Sequence, residues 1–184
     1  MASEQKNNSG GDLVTLHGAL IRIFETGVLF TGPAGIGKSE CGLELLSRGH
    51  QLVADDAVEV QDDGGRLVGR APYVTQGVIY IRGLGCVDIK KVFGAPALAE
   101  SSPVDLVIEL VERRSADAGS KLHADFRDSD LLGHRVPSLS LPVRPGQNLA
   151  VLVETAVRLH RLLQSEGDPA EELIARHRAS VQSD

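Results

Sequence analysis

The chain has 184 residues, enough for one domain of ordinary size, and 42% of them are apolar, so a sizeable core can be buried. Its net charge is −6, with 19 Lys and Arg against 25 Asp and Glu, which argues against a protein that coats nucleic acid. No Trp, four Phe and two Tyr are too few for an aromatic platform that stacks single strands.

Met1 to Asp12 is polar, rich in Gly, Ser and Asn, and lacks an apolar signal core. It reads as a disordered leader. Residues 13–184 read as a single domain, with no internal repeat or linker. Within 13–31 the pattern predicts strands: Leu13–Leu16 leading to His17-Gly18, then Ala19–Phe24, a turn at Glu25-Thr26-Gly27, and the apolar run Val28–Thr31. A glycine loop follows, then a helix from about Lys38 to Arg48 that Gly49 stops. Leu52-Val53-Ala54 is a second buried strand and ends in Asp55-Asp56. Val58, Val60 and Leu67 belong to a hairpin turned at Asp62-Asp63-Gly64-Gly65. Val78–Arg82 and Val104–Val111 are further strands, the first closed by Gly83-Leu84-Gly85. Residues 113–138 are polar and broken by Gly and Pro, and read as a loop. Leu141–Gly146 is rigid and extended. Asn148 caps a helix with Leu149, Leu152, Val153, Ala156, Leu159 and Leu163 at helical spacing, and Asp168-Pro169 opens a last helix.

No apolar run approaches the ~18–20 residues that span a bilayer, so no membrane partner is expected. Cys41 and Cys86 form neither a zinc set nor a C-x-x-C motif. They read as reduced core thiols of a cytoplasmic protein. The chain order of elements gives an α/β class.

Gly32-Pro33-Ala34-Gly35-Ile36-Gly37-Lys38-Ser39 matches G-x-x-x-x-G-K-[ST] in full, with a buried strand before it and a helix after it. A loop that wraps phosphate must turn its N–H groups inward, and glycines permit that. The helix N-terminus adds partial positive charge. Lys38 supplies a full cation, and the Ser39 hydroxyl can reach Mg²⁺. A chance glycine turn is the rival reading, and the flanking strand and helix weigh against it.

Asp55 and Asp56 end the very next strand. A carboxylate there, beside a phosphate loop, suits a metal ligand or a base. On a regular strand the two would face opposite ways, so one could hold metal while the other meets the acceptor. A solvated acidic turn is the usual alternative. His17 ends its strand before Gly18, and a lone histidine there is more often structural than catalytic. His50, His123, His134, His160 and His177 show no metal spacing and read as structural or exposed. Ile81-Arg82-Gly83-Leu84-Gly85 is a second glycine loop whose spacing alone says little about anions. Arg144, on a rigid Pro-flanked segment, could recognise phosphate or merely sit on a surface bend. Arg113-Arg114 reads as a solvated pair.

Together these stretches resemble the catalytic domain of the HPr kinase/phosphorylase family. The matching residues are Thr15–Gly18, Gly27–Glu40, Glu44–Asp56, Val68–Pro72, Ile81–Gly85 and Leu141–Asn148. The resemblance covers about residues 13–165 and suggests a short, catalytic-domain form. It implies a P-loop domain similar to phosphoenolpyruvate carboxykinase, a mixed sheet with flanking helices. It also implies ATP and Mg²⁺ as cofactors, a serine of the carrier protein HPr as acceptor, and phosphorolysis as the reverse reaction. It suggests a homo-oligomer, with the hexamer as the expected form. By match, Gly32–Ser39 would bind nucleotide, and Ser39 and Asp55 would hold Mg²⁺. Asp56 would exchange the serine proton, Asp55 would support it or touch the metal, and His17 would lie near the reacting phosphate. Pro142, Val143, Arg144, Pro145, Gly146 and Gln147 would line the dephosphorylation site. Arg127 is the candidate for an active-site arginine upstream of that segment. The family pattern has a metal-binding Glu where this chain has Tyr80, and an Arg where it has Gln147. A kinase for another protein or a small alcohol, and a nucleotide-sensing module that has lost catalysis, are the rival readings.

Overall fold

The computed structural model describes residues 13–112 and 124–166. The leader, Arg113-Arg114, His123, His177 and the helix expected from Asp168 lie outside the described residues. The chain opens with β1 (Val14–His17), β2 (Ala19–Ile23) and β3 (Thr26–Thr31), then α1 (Lys38–Ser47). Next come β4 (Gln51–Ala54), β5 (Ala57–Asp62), β6 (Leu67–Arg70), β7 (Val78–Ile81) and β8 (Gly85–Asp88). A short helix α2 (Ile89–Phe93) leads to β9 (Ser101–Pro103) and β10 (Leu106–Glu112). Then β11 (Arg127–Leu131), β12 (His134–Val143) and α3 (Leu149–Ser165) follow. No described helix is long and apolar enough to cross a membrane.

Six strands form a mixed sheet in the order β11-β12-β10-β3-β2-β4. β10 is parallel to both β3 and β12, while β2 is antiparallel to β3 and β4. The C-terminal ends of β3, β4, β10 and β12 therefore share one sheet edge. Four strands, β1-β5-β6-β9, form a second sheet, and β7 and β8 pair as a hairpin.

Period-two alternation gives the six-stranded sheet two apolar faces. Ile21, Ile23, Val28, Phe30, Ile108 and Leu110 pack against Leu45 of α1 and Val153 and Val157 of α3. Leu20, Leu29 and Val107 turn the other way, onto Val58, Val60 and Leu67 of the second sheet. A third cluster, with Leu46, Leu52, Ile79 and Ile89, seats the β7–β8 hairpin and α2 beside α1.

Two chain segments cross between the sheets side by side. β1 pairs with β5 in one sheet, and β2 pairs with β4 in the other. The corners between them, His17-Gly18 and Asp55-Asp56, must therefore meet. The Gly18 N–H donates to the Asp56 carbonyl at 3.2 Å.

Three local expectations are corrected. The first turn is Phe24-Glu25, both at positive φ, because Ile23 pairs with Thr26; Thr26 and Gly27 already belong to β3. Residues 113–138 are not all loop, since β11 and the start of β12 form a hairpin turned at Leu132-Gly133. Cys86 is exposed, whereas Cys41 is buried and its thiol is pushed up to about 12 by burial, then by Glu44.

Candidate functional site

Gly32 follows β3 directly, and only a residue without a side chain fits there. Its φ is +128°, and a Cβ would fall 2.3 Å from the Leu110 carbonyl oxygen. The loop then feeds α1, whose N-cap is Gly37 with no side-chain capping bond. The first-turn N–H groups are left for an anion. Lys38 is buried and its ammonium donates to the carbonyls of Gly32 and Pro33, at 2.8 and 3.0 Å. Burial holds its pKa below the usual lysine range, while the charges of Asp55 and Asp56 act the other way.

One residue along α1, the Ser39 hydroxyl donates to the Asp55 carboxylate, with both oxygens at 3.0 Å. Asp55 is only 3% exposed. Burial raises its pKa, opposed by the Ser39 hydroxyl and the Tyr80 N–H. The Tyr80 N–H lies 3.4 Å from Oδ2. A buried carboxylate beside a hydroxyl is a hard oxygen pair that a divalent cation would suit. Among the described residues no group of three or more His, Cys, Asp or Glu could hold a metal unaided. Mg²⁺ fits this donor set, because it usually takes its remaining ligands from phosphates and water.

Asp56 sits in the left-handed region, with φ 68°, and this kink separates the two carboxylates. Asp55 turns inward and Asp56 outward, as alternation predicted, although the device is a corner and not a continuing strand. The Asp56 carbonyl accepts from His17 Nδ1 at 3.0 Å, and the carboxylate lies 3.4 Å from the same nitrogen. Both side chains are exposed to solvent. His17, Gly35, Lys38, Ser39, Asp55, Asp56, Tyr80 and Arg82 all line one cleft.

The remaining expected residues lie elsewhere. Pro142 and Val143 end β12 on the same sheet edge as the phosphate loop, two strands from β3. Arg144 to Gln147 form a turn in which the Arg144 N–H donates to the Gln147 side-chain oxygen at 3.1 Å. None of this segment lines the cleft. Arg127 stands on the edge strand β11, exposed and ion-paired with Asp125, three strands from β3. Sequence reasoning passed over Arg82 as an individual residue. The available signal was alternation in β7: Ile79 and Ile81 are buried, so Tyr80 and Arg82 face the cleft together.

Residues 11–177 match the family model described as the HPr Serine kinase C-terminal domain. An HPr kinase/phosphorylase of Clostridium tetani is 40% identical over 162 residues, covering 88% of this chain and 53% of the relative. One from Caldicellulosiruptor bescii is 44% identical over 149 residues, covering 80% and 48%. The chain thus spans about half the length of the curated relatives it matches. A solved structure, described as the Hpr(Ser) kinase/phosphatase from Coxiella burnetii, superposes with a TM-score of 0.77 at 39% identity. That match covers 89% of this chain and 96% of the other. With nearly its whole length inside the family match, this chain belongs to the HPr serine kinase C-terminal domain family.

Proposed function

We propose that this chain is an ATP- and Mg²⁺-dependent protein kinase that phosphorylates a serine of HPr or an HPr-like carrier. The supporting observation is one cleft that joins a complete phosphate loop, the Ser39–Asp55 oxygen pair and the solvent-facing Asp56. Its catalytic domain takes the phosphoenolpyruvate carboxykinase arrangement, by the same resemblance. The protein works in the cytoplasm as a homo-oligomer, with a hexamer as the form to test by light scattering.

Each residue has a role in the transfer. Lys38 and the uncapped N–H groups of α1 bind and orient the nucleotide phosphates. Ser39 and Asp55 would hold Mg²⁺, which when bound neutralises charge on the β- and γ-phosphates. Asp56 takes the proton of the incoming serine hydroxyl, with His17 fixing the corner that carries it. The bond from serine oxygen to phosphorus forms as the bond from phosphorus to the ADP oxygen breaks, and ADP keeps that electron pair.

The test is transfer from γ-labelled ATP to HPr, with a Ser→Ala form of HPr and Lys38→Ala of the kinase as controls. Label on wild-type HPr alone supports the proposal. Nucleotide binding without label on any acceptor would instead favour a sensing module. The resemblance also supports phosphorolysis, in which inorganic phosphate attacks the phosphoserine and pyrophosphate leaves. Gln147 is neutral and its side-chain oxygen is engaged with its own turn, so this reaction is expected to run slower than the kinase. Pyrophosphate release from phosphorylated HPr at the forward rate would contradict that expectation.

A further inference from the structure

Glu109 is a charged residue in the interior of a sheet, and the chemistry above gives it no task. It lies on β10, which has β3 on one side and β12 on the other. Glutamate is depleted in such strands. The flanking Ile108 and Leu110 are fully buried on the helix side. Alternation turns Glu109 to the opposite face, where it is exposed. The register sets it beside Thr31 of β3 and Ser140 of β12. Deeper on that face, Leu29 and Val107 are covered by Val58, Val60 and Leu67 of the second sheet. Glu109 and Ser140 are exposed, so the cover ends before them. The row forms a polar shelf at the sheet edge that carries the phosphate loop. Its β3 end adjoins the corner of His17 and Asp56. The β2–β3 register pairs Ala19 with Phe30, so Gly18, directly after His17, falls beside Thr31. A Cβ on Gly18 would lie 2.4 Å from the Phe30 carbonyl oxygen, which shows how close the two backbones run. Glu109 thus stands two strand spacings, roughly 10 Å, from that corner. The Ser140 hydroxyl donates to Glu109 Oε2 at 2.9 Å and fixes the carboxylate. Among the described residues, no basic side chain pairs with it. Glu59 of β5, by contrast, is held by Arg70 of the adjoining strand at 3.0 Å. A carboxylate fixed in place and left without a cation, on the shelf that leads to Asp56, suits a cation supplied from outside.

We propose that Glu109 is a specificity residue for the protein acceptor, pairing with a Lys or Arg that lies near the acceptor serine. The inference rests on the kinase reading and adds the chemistry of the surface that docks. With the serine at Asp56, the neighbouring surface of the acceptor lies over the shelf, and its cation sits about 10 Å from the serine. Oε2 is engaged by Ser140, so Oε1 takes the charge-assisted bond. The net charge of −6 favours approach by a basic surface. The pair forms on docking and stays the same during transfer. It therefore lowers KM for the acceptor and leaves kcat alone.

The test compares wild type with Glu109→Gln and Glu109→Lys, using HPr as the probe and thermal melting to establish folding. Glu109→Gln keeps an oxygen for the Ser140 hydroxyl and loses the charge. Its KM and Kd for HPr are expected to rise about tenfold. The kcat at saturating HPr and the Kd for Mg²⁺-ATP should change less than about twofold. Glu109→Lys should weaken HPr binding further, because like charges then meet. A second arm replaces by Gln, one at a time, each Lys and Arg of HPr within reach of the shelf, about 10 Å from the serine. One of these changes should weaken binding to wild type about tenfold and binding to Glu109→Gln hardly at all. A merely structural role would lower the melting temperature and show no such coupling. Unchanged HPr affinity in both Glu109 variants, or additive losses for every HPr cation, would overturn the assignment. Calorimetry measures HPr binding without ATP. If wild type binds HPr but transfers no label, the kinase reading fails while the coupling still decides Glu109. Absence of any HPr binding to wild type would overturn the proposal outright.

Discussion

A serine hydroxyl is a poor nucleophile near neutral pH, so a positioned carboxylate should assist its deprotonation. The two adjacent aspartates are candidates, and their surroundings separate them. Asp55 is buried against Ser39 and the Tyr80 N–H, which suits a ligand to cation. Asp56 is exposed at a corner where an acceptor can reach it. Asp56→Asn keeps the shape and removes basicity and charge, so kcat should fall by about 10²–10⁴ with little change in ATP affinity. Asp55→Asn should instead show a defect that rising Mg²⁺ partly relieves. The measurement is kcat and ATP affinity for both variants across a Mg²⁺ series. Restoration of Asp56→Asn by Mg²⁺ would reverse the two roles. The opposite facing of this pair was legible in the sequence, because adjacent residues at the end of a buried strand alternate inward and outward. The proximity of His17 to Asp56 was not legible without the family pattern. The two lie 39 positions apart and meet only because β1–β5 and β2–β4 turn the same corner in two different sheets. Arg82 was harder still, since β7 reaches the cleft only through the packing of Ile79 and Ile81 in the cluster beside α1.

At the scale of elements, the two long helices were readable because each carries its own start signal. The phosphate loop forces α1 to begin at Lys38, and Asn148 caps α3 by accepting from the Val151 N–H at 3.0 Å. That cap supplies the simplest stability test. Asn148→Ala leaves one first-turn N–H without its partner and should cost about 1 kcal/mol. In a chain of this size the melting temperature should drop by about 2–4 °C. An unchanged melting temperature would mean that packing of Ala150, Val153 and Val157 fixes the helix start without the cap. Strand signals were less reliable where special backbone geometry came without the usual residues. The β2–β3 turn places Phe24 and Glu25 at positive φ, although such two-residue turns favour Asn and Gly. Tertiary contacts hold it: the Phe24 ring meets the edge of His50, and Arg158 lies 4.0 Å above it. β12 was hidden by Pro137, which argues against an interior strand. The register resolves the conflict, because pairing with β10 starts at Ser138 and never asks Pro137 for a hydrogen bond on that side. β11 was hidden by its polarity, which is what an exposed edge strand needs.

For the molecule as a whole, the candidate cleft and a partly buried polar cluster lie at opposite edges of the six-stranded sheet. The cleft lies beyond the C-terminal ends of β3 and β4. At the other edge, where β3 and β10 begin, a polar group clusters beneath α3: Asp105, Arg66, Gln164 and buried His160. Several groups bear on the charge of His160. Burial lowers its pKa, and the Asp105 charge only partly opposes this. Asp105 is itself engaged, accepting from the Gly27 N–H at 2.8 Å and from Arg66 at 3.0 Å. The Gln164 amide nitrogen donates to His160 Nε2 at 3.1 Å, so a proton on that nitrogen would set donor against donor. The Phe126 ring, with its centroid 5.5 Å away, brings no charge to the site. The sign of the pH effect follows. An unfolded histidine titrates near about 6.5, whereas folded His160 titrates lower. Between those two values the unfolded chain holds more protons, so stability falls as pH drops through that window. Above it both states are neutral and the term vanishes. His160→Gln removes the titration, so the variant should lose less stability than wild type between pH 7.5 and pH 5.5. Urea midpoints of both proteins at the two pH values measure the difference, and nucleotide affinity serves as a control that the substitution should leave unchanged. Equal losses in the two proteins would place the pH dependence elsewhere, and a larger loss in the variant would mean that His160 is charged in the folded state, with Asp105 outweighing burial.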